Sequence, residues 1–151
     1  MIATLIATLI MGLYLGWYIK KYGIPESISQ TVFKLPHEVC FTLVMYSVGF
    51  LNIAQMIDHC SENTKFLAFL SIAGVLFVGA APLGKNCNEK VHIAGALFFG
   101  ICSQIMIALN APLLLLGWVP CVFWLIKSAG RHYKFWLEMA CIIDLLVFCL
   151  L

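Results

Sequence analysis

Charge is what this sequence has least of. Asp, Glu, Lys and Arg make up 11% of its 151 residues, against about 25% in an ordinary soluble domain. With 63% of the residues hydrophobic, a soluble fold of this length could not hide its apolar surface, because too much of a small domain lies at its boundary with water. The chain also has no CxxC pair and no Cys/His group at metal-ligand spacing, which argues against a zinc site or a disulfide framework. Its seven cysteines, Cys40, Cys60, Cys87, Cys102, Cys121, Cys141 and Cys149, fall mostly in apolar runs, where cysteine acts as a small hydrophobe. A nucleophile elbow, a P-loop, an HExxH pair and a dinucleotide fingerprint are all absent. Polar linkers, internal repeats and low-complexity tracts are missing too, so residues 1–151 read as a single transmembrane domain.

What is present is a series of long apolar runs, and a spanning helix needs about 20 such residues. The runs predict helices over 1–19, 39–57, 66–83, 91–109, 112–126 and 135–151, an all-α polytopic bundle of about six helices. The first run lacks a charged leader and a small-residue cleavage site, so it reads as a helix of the mature protein rather than a signal peptide. The uncharged stretch from Val91 to Ile126 is too long for one span. It divides at Asn110-Ala111-Pro112, because proline removes a helical donor and turns the preceding residue away from helix. The fifth helix is short and carries Pro120.

Eight of the nine Lys and Arg residues fall in alternate connections: Lys20, Lys21 and Lys34, then Lys85 and Lys90, then Lys127, Arg131 and Lys134. Lys65 alone lies on the other side. Basic loops stay in the cytoplasm, so the split predicts both termini outside, a basic cytoplasmic rim and, in a bacterium, the inner membrane. Trp17, Tyr18, Tyr22, Tyr133, Phe135 and Trp136 stand near helix ends as an interfacial belt. Thr4, Thr8, Gly12 and Gly16, and likewise His92, Ala96, Gly100, Gln104 and Ala108, recur every four residues. Small residues at that spacing let helix backbones approach in lipid, within the bundle or toward a second copy or a partner membrane protein.

The polar groups inside the runs are few. Asp144 lies deep in the sixth, where a carboxylate costs about 2.5–3.5 kcal/mol and is expected to face the bundle interior. It is read either as a proton, cation or ligand site shared with Gln104, Asn52 and Gln55, or as a protonated group hydrogen-bonded to one of those three. Glu138 stands one turn from Lys134, as a plain i,i+4 pair. At the basic rim Ser27, Ser29, Lys34, His37, Lys85, Asn86, Lys90, His92, Lys127, Arg131 and His132 gather, and such a rim draws anionic lipid head groups. Within it Ser27, Ser29, Lys85, Lys90 and Arg131 are the head-group candidates, with His37 and His92 as candidate acid/base groups. All four histidines lie at helix ends, which disfavours a bis-histidine haem. Neither a cofactor nor a nucleic-acid partner is expected.

Tyr22-Gly23-Ile24-Pro25-Glu26-Ser27-Ile28-Ser29, Gly79-Ala80-Ala81-Pro82 and Val91-His92-Ile93-Ala94-Gly95-Ala96 resemble segments of uncharacterised small polytopic membrane proteins of Bacteroides-type bacteria. More remotely they resemble the six-helix DRAM and Frag-like family. The likeness spans roughly positions 22–96; it implies a six-helix fold and singles out Ser27, Ser29 and His92. With no loop long enough to hold a separate activity, three functions remain. The first is binding of lipid or a small apolar ligand, or assistance to a partner membrane protein. The second is a proton- or ion-coupled transporter or channel subunit using Asp144, and the third a membrane enzyme acting on lipid head groups through His37 or His92.

Overall fold

The computed structural model describes residues 1–34, 38–83, 89–127 and 130–151. Among these residues six α-helices run in sequence: α1 Ile2–Tyr22, α2 Glu38–Asp58, α3 Lys65–Ala80, α4 Glu89–Asn110, α5 Trp118–Lys127 and α6 Tyr133–Phe148. Shorter 3₁₀ turns join them at Ser29–Lys34, Glu62–Thr64, Ala81–Leu83 and Pro112–Gly117. No strand occurs among the described residues, and the all-α bundle follows the apolar runs to within a few residues at most ends. Ile2–Tyr22, Glu38–Asp58, Glu62–Ala80 and Glu89–Asn110 are each long and apolar enough to cross a membrane.

Burial is arranged for a bilayer. Leu5, Leu9, Leu13, Phe69, Phe77, Phe98 and Ile105 point outward, whereas Thr4, Asn52, Ser71, Ser103 and Asp144 are enclosed. In lipid an apolar side chain gains little by hiding, and polar groups instead seek partners inside the bundle. The chain is an integral membrane protein of helical type.

From α1 to α4 each helix packs against the next; α6 then lies against α4, and α5 packs against α6. The tightest crossing is between α3 and α4. A Cβ placed on Gly74 would stand 2.6 Å from Gly95 O, and one on Gly95 would stand 2.8 Å from Gly74 O. Both glycines are required there because backbone meets backbone.

The fifth span is built differently from the others. Ala111, at φ −149 and ψ 64, has left the α region, which a following proline disfavours. Pro112–Gly117 then winds as 3₁₀ helix before α5 begins at Trp118. At about 2.0 Å of rise per residue in the first part and about 1.5 Å in the second, these residues reach about 27 Å. That approaches the bilayer's hydrocarbon thickness of about 30 Å, which a purely α-helical segment of the same length would fall further short of.

The two small-residue stripes behave differently from each other. Gly12 and Gly16 face open space, with nothing within 4 Å of an added Cβ; the buried face of α1 is Thr4, Ala7, Met11, Leu15 and Tyr18. On α4 the buried face is Gly95, Phe99, Cys102, Ser103, Met106 and Ile107, leaving Ala96, Gly100 and Gln104 half-buried toward α6. Of the expected belt aromatics, Tyr18 and Phe135 are each 2% exposed and belong to the interior. Trp124 stacks on Trp136 at 5.9 Å, with Lys127 over Trp124.

One end of the bundle gathers Met1, His59, Asn110 and Cys149. Thr4 Oγ1 donates to Cys149 O at 3.5 Å, His59 Nδ1 meets Phe148 O at 2.9 Å, and the Ser61 N–H donates to Asn110 Oδ1 at 2.8 Å. The other end carries the first connection and the starts of α2, α4 and α6.

Candidate ligand groove between α4 and α6

The first connection positions the site. Gly23 ends α1 at φ 81 and ψ −179, a conformation essentially reserved for glycine, and turns the chain back beneath the bundle. Residues 25–32 then pack inward: Pro25, Ser27, Ile28, Thr31 and Val32 are buried. Three contacts tie this segment to α6. The Phe135 N–H donates to Glu26 O at 3.0 Å, His132 Nδ1 meets Pro25 O at 2.9 Å, and Glu138 Oε2 accepts the Ile28 N–H. The Tyr14 and Thr31 hydroxyls hydrogen-bond on the α1 side. Glu138 is thus turned to the loop backbone and does not form the expected ion pair with Lys134; among the described residues the ion pair is Lys65–Glu62. A backbone N–H held in place inside the bundle is a better partner for Glu138 than a lysine that can reach water.

Between this loop, α4 and α6 lie two adjoining cavities. The outer one, about 670 Å³, is lined by Ser27, Ser29, Gln30, Glu89, His92 and Lys134 together with apolar residues such as Phe33, Pro82 and Ile93. The inner one, about 440 Å³, is walled almost wholly by apolar groups, among them Met45, Val78, Phe99, Ile101 and Ile142, and reaches Gln104 and Trp118. Ser29, Ala96, Leu97, Leu137 and Glu138 line both, so the two form one groove with a polar mouth and an apolar interior. Gly100 keeps the inner part open: a Cβ there would meet Cys141 Sγ alone, at 3.9 Å.

Beyond the inner end stands a small polar cluster. Trp118 Nε1 donates to Gln104 Oε1 at 2.8 Å, and its indole also lies against the Asp144 carboxyl. Asp144 is 2% exposed. Its Oδ2 and Gln104 Nε2 are buried without a hydrogen-bond partner. Gly117 makes room for this carboxyl, since a Cβ there would fall on Asp144 Oδ1.

The structure divides the residues singled out in the sequence. Gln104 joins Asp144 through Trp118. Asn52 instead donates to Val48 O at 2.8 Å within α2. Gln55, its amide turned to suit its neighbours, donates to Leu51 O at 3.2 Å and accepts from the Met1 ammonium at 3.1 Å. Of the rim set, Ser27, Ser29 and His92 line the mouth, whereas Lys90 and Arg131 are exposed and do not. His37, Lys85 and Asn86 lie outside the described residues. His92 Nδ1 is buried without a partner, and Ser27 Oγ accepts the Gln30 N–H at 3.1 Å. Among the described residues no group of three or more His, Cys, Asp or Glu could hold a metal ion. Glu138, Trp118 and Gly100 were not marked as site residues by the sequence; Trp118 near Asn110-Pro112 and the carboxylate of Glu138 within an apolar run were the signals available.

Neither a family model, nor a curated protein, nor a solved structure matches the chain. The groove itself therefore carries the functional reading.

Proposed function

We propose that this protein binds an amphiphile within the bilayer, with the head group at the mouth beside Ser27, Ser29, His92 and Lys134 and the chain in the apolar slot between α4 and α6. The observation that carries this reading is the continuity of the two cavities through Ser29, Ala96, Leu97, Leu137 and Glu138. Lipid-binding sites need this gradient, since an acyl chain requires an apolar wall and its head group requires polar partners. The placement of the mouth at the end of the bundle rich in Lys and Arg fits a cytoplasmic head-group level, with the basic connections inside. Ser27, Ser29 and His92, all expected at the rim from the sequence, line that mouth together. The test is lipid retention after purification in mild detergent, read by native mass spectrometry. Gly100→Leu fills the slot and is expected to lose the retained lipid; equal retention would reject the reading.

Asp144 favours a second reading, a proton- or cation-binding step. The observation is its enclosure with Oδ2 unpartnered beside Gln104 Nε2. It predicts a proton- or ion-dependent flux in proteoliposomes that Asp144→Asn abolishes. No flux in the wild type, or an unchanged flux in the variant, removes it.

A further inference from the structure

The described lining of the groove's mouth is not basic, although the end of the bundle around it is. Its described ionisable lining is Glu89, Glu138, His92 and Lys134. With histidine neutral, and with Glu138 ionised or neutral, that lining holds no net positive charge. Lys90 and Arg131, the cations expected to draw an anionic head group, stand outside it. Glu89, at the start of α4, and Lys134, in the first turn of α6, line the same cavity from opposite helices without forming an ion pair. Lys134 Nζ lies 5.9 Å from the Tyr133 ring centroid.

Resting on the groove reading above, we propose that the mouth selects a zwitterionic amphiphile with a primary ammonium over a purely anionic one. The ammonium is taken by Glu89, the anionic phosphate by Lys134, and the polar groups of Ser29 and Gln30 supply hydrogen bonds between them. A head group carrying both charges bridges two opposite charges that do not reach each other. An anionic head group satisfies Lys134 alone and sets its charge against Glu89. A quaternary ammonium has no N–H to donate and keeps the charge match only. The anionic alternative draws on the general potential of the basic rim, which is screened within about 10 Å at moderate salt. The carboxylate in the mouth acts at contact range.

The probes are phosphatidylethanolamine, phosphatidylcholine and phosphatidylglycerol with identical acyl chains, titrated into delipidated protein in detergent and counted by native mass spectrometry. Gly100→Leu defines the part of the binding that belongs to the groove. The expected result is about five-fold tighter groove binding of phosphatidylethanolamine than of phosphatidylglycerol, the scale of one partly exposed ion pair, with phosphatidylcholine between them. Glu89→Gln should bring the ethanolamine and glycerol lipids level. Groove binding with no ethanolamine preference in the wild type, or a preference that survives Glu89→Gln, overturns the selection and leaves the groove intact. Binding of all three lipids unchanged by Gly100→Leu overturns the groove itself and the selection with it.

Discussion

The Glu138 carboxylate on α6 accepts the backbone N–H of Ile28, a residue 110 positions earlier in the chain. This bond ties the first connection to the last helix and closes one wall of the groove. Such a hydrogen bond contributes about 0.5–1.5 kcal/mol with a neutral acceptor and about 1.5–3 kcal/mol with a charged one. Glu138→Ala is expected to lower stability in detergent by an amount within those ranges, and to raise hydrogen exchange at Ile28 and its neighbours. Glu138→Gln, which keeps an acceptor, should fall between. Thermal unfolding followed by circular dichroism, with exchange mass spectrometry on residues 25–32, is the check; unchanged exchange in Glu138→Ala would show that the loop is held by other contacts.

The α3–α4 crossing makes a paired prediction. Gly74→Ala sets a methyl group against the backbone of Gly95 and Phe99, which cannot move aside without separating the helices, so a loss of about 1–3 kcal/mol is expected. Gly12→Ala and Gly16→Ala meet open space and should be neutral, or stabilising by about 0.5–1 kcal/mol through helix propensity. Melting temperatures of the three variants in one detergent decide it, and equal losses in all three would contradict the assigned packing faces.

Gly117 and Asp144 should prove coupled. Gly117→Ala drives a methyl group into the carboxyl, whereas the same change in an Asp144→Ala background finds space. A double-mutant cycle is expected to give a coupling energy above about 0.5 kcal/mol. Additive losses would mean that the two residues are not in contact.

Orientation can be read by labelling. In a variant with its native cysteines replaced, Asn63→Cys should react with an impermeant maleimide in intact cells, and Lys34→Cys only after permeabilisation. The reverse pattern would overturn the assignment of the basic end to the cytoplasm.

The helices were legible because each apolar run is bounded by charge, proline or glycine, and the bilayer makes run length nearly sufficient for the fold. The division at Asn110-Ala111-Pro112 followed from proline chemistry alone. What could not be read was direction. In lipid, apolar residues occupy both the inner and the outer faces, so periodicity does not distinguish them, and the Gly12–Gly16 stripe looked as suited to packing as the stripe on α4. Asp144 and Gln104 were legible as costly groups in an apolar setting, but their meeting place, Trp118, depends on how the 3₁₀ segment returns the chain. Glu138 was hidden by its neighbour: Lys134 at i−4 offered a local partner, and the true one lay in a loop whose inward fold depends on the tertiary structure.

The central claim is that a lipid sits between α4 and α6, and photocrosslinking tests it most directly. A zwitterionic lipid bearing a diazirine in its acyl chain, reconstituted with the protein and irradiated, should label peptides containing residues 96–104 and 137–142. That labelling should be lost in Gly100→Leu. Labelling spread equally over the outward face of α1 at Leu5, Leu9 and Leu13, and unaffected by Gly100→Leu, would contradict it.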